Sequence, residues 1–163
     1  MGLDPLAAAI TGVLAAQVME VPAYLQRAAG AAVHQNIFAE AGAILRIPPP
    51  YQRLAGWAGH ALLAVAIMFM YTMSFATVAD NDHLLWWGLL AGAIHGALGG
   101  VVVGAWPDLH PQIPGHLEEP GVFYRHYGHR DVVTFWGGHL LFGLVSGTCY
   151  PALHRGLPFG AAL

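Results

Sequence analysis

The sequence predicts an all-α fold, a four-helix transmembrane bundle, and three observations carry that expectation. Four apolar stretches of roughly 20 to 25 residues run through the chain, the length a helix needs to cross ~30 Å of hydrocarbon. Charge is scarce: 9% of the 163 residues are charged and 56% are hydrophobic, against about 25% charged in a soluble domain. None of the four stretches shows the strict alternation of a barrel strand. So few charges cannot coat a globular surface, and lipid must solvate much of the chain. The mean hydropathy of +0.54 agrees.

The first span is expected over residues 6–28, with Asp4 as its cap and Pro5 in its first turn. Pro22 should kink it. Residues 31–45 read as a short amphipathic helix with Val33, Ile37, Ile44 and Leu45 apolar, ended by Pro48, Pro49 and Pro50. The second span covers 54–78. Asp80, Asn81 and Asp82 make a tight turn in which Asp82 caps the third span, 84–106, and Pro107 should stop that span. Residues 107–130 form a long His-rich loop, and Asp131 is placed to cap the fourth span, 132–153. The length suits one integral membrane domain over residues 1–163 and no second. The opening residues lack the positive segment of a signal peptide, so the first span should be retained.

Arg46, Arg53, Arg125 and Arg130 fall in the two longer connections, on one side, with Arg27 nearby. Basic residues favour the cytoplasmic side, which places both termini outside the cytoplasm. Trp57, Trp86, Trp87, Trp106 and Trp136 fall near span ends, as an aromatic belt would. A net charge of −3 supplies no basic patch for nucleic acid. The single cysteine, Cys149, allows no internal disulfide. No P-loop, CxxC, HExxH or Ser-His-acid pattern occurs, which argues against soluble-type hydrolase or nucleotide chemistry.

Gly88, Gly92, Gly96, Gly100 and Gly104 recur every fourth residue along the third span, and Gly143 and Gly147 repeat the spacing in the fourth. Positions four apart share a helix face, so this stripe lets another backbone approach closely. The partner of that face could be another span or another subunit.

Each span carries an ionisable residue: Glu20, His60, His95 and His139. Such groups are costly inside a membrane and mark functional sites. At about 1.5 Å per residue, Glu20, His60 and His139 lie roughly 10 Å inside the same end, with His95 about a turn deeper. Small neighbours, among them Gly56, Ala91, Gly92, Gly99 and Gly143, leave room for a planar ring over an imidazole. Two of His60, His95 and His139 could ligate a haem or (bacterio)chlorophyll, with His60 and His139 the preferred pair. Glu20 with the three histidines suits a transition metal ion: zinc, copper or non-haem iron. A proton or ion path uses the same residues. Plain interhelical hydrogen bonds, worth about 1 kcal/mol, are the bland alternative. The spacing does not choose among these. Glu20 could also pair with Arg27 through Tyr24. Met68, Met70 and Met73 suggest Cu(I), though ordinary packing explains them better. The loop histidines, His110, His116, His126 and His129, suit a second metal site or a docking surface, or simply solvent. Phe123, Tyr124 and Tyr127 are expected at the membrane surface as anchors.

Residues 12–19, the run Gly56-Trp57-Ala58-Gly59-His60, Pro120-Gly121-Val122-Phe123 with Tyr127-Gly128, and Gly138-His139-Leu140-Leu141-Phe142-Gly143 together resemble a group of small bacterial four-helix integral membrane proteins with no assigned activity. The resemblance implies the four-span fold and draws attention to His60 and His139; the expected location is multi-pass in the bacterial inner (cytoplasmic) membrane. It implies no reaction. The functional expectation is a small accessory subunit of a larger membrane redox complex, respiratory or photosynthetic, lying in the lipid bilayer beside other membrane subunits and holding a haem or chlorophyll-type pigment through its histidines. The rival is a membrane metal-binding enzyme or an ion or proton carrier using Glu20, His60, His95 and His139.

Overall fold

A computed structural model describes residues 3–79, 81–109 and 119–156, with backbone alone at 107–109 and 155–156. Among the described residues the structure is all-helical, with no strand. Four stretches are long and apolar enough to cross a membrane: Pro5–Ala28, Pro49–Thr77, Leu84–Trp106 and His129–His154. They match the expected spans to within a few residues at most ends.

The first stretch is two helices, α1 (Pro5–Val18) and α2 (Val21–Ala28). Asp4 caps α1 by accepting from Ala7 N at 2.9 Å. The break falls at Met19–Glu20 and precedes Pro22, because the proline ring has no N–H and would clash with the carbonyl of Val18. Pro22 instead sits in the first turn of α2, where no N–H is needed. The expected amphipathic helix is shorter than 31–45: α3 spans Ile37–Ile44, capped by Asn36. Its buried face is Glu40, Gly42 and Ala43. The three prolines do not end it; Pro49 opens a 3-10 turn that leads into α4 (Gln52–Thr77). α5 (Leu84–Leu109) runs past Pro107 rather than stopping there. Asp82 accepts from His83 N at 2.8 Å, one residue short of α5. Asp80 and the loop residues His110, His116 and Glu118 lie outside the described residues. A 3-10 segment, Val122–Tyr127, precedes α6 (His129–Gly156). Asp131 does not cap α6, since it lies inside the first turn and bonds elsewhere.

Glycines decide which helices touch. A Cβ on Gly143 would overlap the Gly88 carbonyl, and one on Gly92 would lie 2.5 Å from His139 O, so α5 and α6 meet backbone to backbone. Further along the same stripe, Gly96 faces the His139 and Trp136 rings, Gly100 the Phe123 ring and Gly104 Val122. The stripe therefore meets other parts of this chain. Gly42 and Gly56 join α3 to α4, Gly12 joins α1 to α4, and Gly138 lies against Met19 O. The result is two groups, α1 with α3 and α4, and α5 with α6, tied together through α1 and α6. α4 and α5, joined by a short turn, barely touch.

Candidate functional site

Glu20, His60, His95 and His139 all line one partly open cavity of about 140 Å³, His139 buried and the other three half-buried. The helix break delivers Glu20 there, where it gives α2 no side-chain cap. α4, α5 and α6 supply one histidine each. Met19, Gln35, Tyr124, Thr134 and Phe142 complete much of the wall.

The histidines are held differently. His60 Nε2 lies 3.3 Å from Met19 Sδ, and its ring packs edge-on to Phe38 at 5.6 Å. His95 stands edge-on to His139 at 4.8 Å and to Phe142 at 5.2 Å. His139 Nδ1 donates to Phe135 O at 2.9 Å. A carbonyl only accepts, so the ring proton sits on Nδ1 and Nε2 carries the lone pair. That nitrogen faces Gly99, where a Cβ would come within 3.3 Å of it. His139 is thus fixed as a base.

The sequence did not point to a second polar layer beside this cavity. Gly121 and, less commonly for non-glycine residues, Phe123 and Tyr124 adopt positive φ. This turn drives the Phe123 ring against Gly100 and carries Tyr124 inward to 2% exposure. Tyr124 is not an interfacial anchor; its hydroxyl donates to buried Glu40 at 2.5 Å. Glu40 Oε1 also accepts from Asn36 N at 2.9 Å. Burial raises the Glu40 pKa above its ordinary 4.5, and the Asp131 charge adds to the shift against the lowering effect of the two hydrogen bonds. Burial and then the Glu40 carboxyl push the Tyr124 phenol well above its usual range. Asp131, fully buried, accepts from His34 N at 2.8 Å and Gln35 N at 2.7 Å, and its other oxygen lies 3.6 Å from the exposed His34 ring. A pH dependence of stability follows. The unfolded chain releases the Glu40 proton near 4.5 while the fold keeps it to higher pH. The associated stability is complete below that value and is lost as pH rises through the folded pKa. Glu40→Gln should therefore show a shallower fall in thermal midpoint than wild type as detergent-solubilised protein is scanned upward from pH 4.5.

Other expected candidates separate. Arg27 donates to the backbone carbonyls of Val33 and Gln35, and Tyr24 is exposed, so Tyr24 does not link Arg27 to Glu20, although the Arg27 charge still acts on that carboxyl. Met68 is buried in the core while Met70 and Met73 face outward, so the methionines do not converge. His126 and His129 are exposed.

No family model, curated protein or solved structure matches this chain. The chemistry of the cavity is therefore the guide to what it does.

Two groups can be tested against that cavity. Among the described residues, no three His, Cys, Asp or Glu side chains are arranged to hold a metal ion. A tetrapyrrole is larger than this cavity as it stands. Cavities of this size hold a few waters or a benzene-sized molecule, and sites for larger ligands run to about 300–1,000 Å³. The 4.8 Å contact of His95 with His139 leaves no gap for a macrocycle between them.

His95 also belongs to a second, larger space. A groove of about 560 Å³ opens between α4 and α5, with Tyr71 and His95 at its floor and Leu63, Ile67, Leu90, Ile94 and Leu98 among its walls. The Tyr71 hydroxyl and His95 Nδ1 are both buried without a hydrogen-bond partner, an arrangement that costs about 1–3 kcal/mol per group.

Proposed function

We propose that this chain is a multi-pass protein of the bacterial inner membrane, an accessory subunit of a membrane redox complex, in which the partly open cavity holds and passes protons. One observation carries the proposal: ionisable side chains from four separate chain segments share the wall of a single cavity. Chains of carboxyls and imidazoles inside a bilayer relay protons because each group can accept at one atom and donate at another. With its Nδ1–H held by Phe135 O, His139 would take up and release a proton at Nε2 alone, holding it for the neighbouring groups and waters to carry. The volume admits several waters to bridge the groups. The lack of a three-ligand cluster among the described residues favours protons over a metal ion. The two arginine-bearing connections pack on each other through Tyr124 with Glu40 and Asp131 with His34. Positive-inside topology puts that end of the bundle toward the cytoplasm and both termini outside it.

The test is proton uptake into liposomes containing the full chain and an internal pH dye, driven by a potassium diffusion potential. Glu20→Gln and His139→Asn should each slow uptake by roughly 100-fold, the low end of what a positioned proton-transfer group contributes. Uptake unchanged in both variants, or wild-type uptake no faster than in protein-free vesicles, rejects the proposal.

A further inference from the structure

We infer that the groove between α4 and α5 binds a membrane-soluble quinone, one carbonyl oxygen accepting hydrogen bonds from the Tyr71 hydroxyl and a ring N–H of His95. This site is distinct from the smaller cavity and goes beyond proton handling, although His95 walls both spaces.

Size is the first argument. At about 560 Å³ the groove falls within the ordinary range for small-molecule sites, roughly 300–1,000 Å³. Its walls are apolar side chains from two helices that pack on different neighbours and so stay apart. The groove therefore does not depend on a moving lid.

Polarity then selects the occupant. Two polar groups without partners, the hydroxyl of Tyr71 and Nδ1 of His95, which donates in the tautomer that places its proton there, lie beneath a largely apolar floor, their rings 6.3 Å apart; the one other hydroxyl lining the groove, Ser74, already donates to Tyr71 O. Tyr71 is 6% exposed, and its oxygen finds no acceptor within the described residues. A lipid acyl chain offers no acceptor. A partner helix has already used its backbone carbonyls internally and would have to bring a polar side chain to this depth. The face of a tetrapyrrole presents none to a tyrosine. A quinone combines a flat apolar ring, a hydrocarbon tail and a carbonyl that two donors can share, reached by a small displacement of the two side chains. Few polar groups, converging in an apolar pocket, are what orient a small ligand.

Trp87 also lines the groove and supplies the readout. The full chain in phosphatidylcholine nanodiscs is titrated with decylubiquinone while tryptophan fluorescence is followed. Wild type should show a saturable quenching phase that Trp87→Phe loses. Tyr71→Phe should raise the half-saturation concentration roughly five- to tenfold, the loss of one hydrogen bond. Decylbenzene, which has the tail and ring but no carbonyl, should not compete. A quenching curve that stays linear, or one that survives intact in Trp87→Phe, overturns the inference and leaves lipid or another helix as the occupant. Saturable quenching with undiminished affinity in Tyr71→Phe overturns it too, provided that variant melts like wild type. The comparison with Trp87→Phe stands even where Tyr71→Phe misfolds. Proton flux plays no part in this readout, so the two proposals fail separately.

Discussion

Gly143→Ala is expected to destabilise the protein by about 3 kcal/mol, the upper part of the range for overpacking. The new methyl group would overlap the Gly88 carbonyl and lie 3.0 Å from Gly92 Cα. These are backbone atoms, and a backbone cannot rotate away as a side chain does. α5 and α6 would have to separate, and the close packing lost along Gly88, Gly92 and Gly147 has no substitute in lipid, which supplies no hydrophobic drive to hold helices together. Gly59→Ala is the matched control. Its methyl group would meet only Leu45 Cδ1, at 3.6 Å. Glycine inside a helix is less favourable than alanine by about 1 kcal/mol, so this variant should be neutral or slightly stabilised. Equilibrium unfolding of both variants in detergent micelles measures the difference. Equal midpoints would mean that α5 and α6 are not in backbone contact at Gly143.

The spans were legible because hydrocarbon thickness fixes a length and apolar composition marks it. The four cavity residues were legible for a related reason: an ionisable group in an apolar run stands out by its cost. What could not be read was the fate of polar residues in the connections, where polarity is ordinary. Tyr124 and Glu40 are 84 positions apart, and Asp131 and His34 are 97 apart. No local spacing announces such pairs. Local position suggests a helix cap for Asp131, yet its carboxyl is used by a distant segment. The glycine stripe announced close packing without naming its partner. That partner matters, since α5 takes α6 and leaves α4, and this choice opens the groove over Tyr71. The helix break at Glu20 follows from Pro22, but its inward direction depends on tertiary packing.

Asp131→Ala should cost about 4 kcal/mol and loosen the cavity wall as well. The segment from Val33 to Gln35 is not helical, and its backbone groups need partners from elsewhere. Two clamps supply them. Arg27 donates to the carbonyls of Val33 and Gln35. Asp131 accepts the amides of His34 and Gln35 on one oxygen. Hydrogen bonds to a charged group contribute about 1.5–3 kcal/mol each, and alanine removes both while leaving the two N–H groups without an acceptor. Asp131→Asn keeps one carbonyl oxygen in the same place, so it should lose less than half as much. Gln35 lines the cavity, and releasing its backbone admits solvent beside Tyr124 and Thr134. Hydrogen–deuterium exchange of the full chain in detergent should therefore rise at residues 33–36 in Asp131→Ala and much less in Asp131→Asn. If both variants exchange and unfold like wild type, the Arg27 clamp alone holds this segment; if both are destabilised equally, the negative charge of Asp131 rather than its hydrogen bonds is what the fold requires.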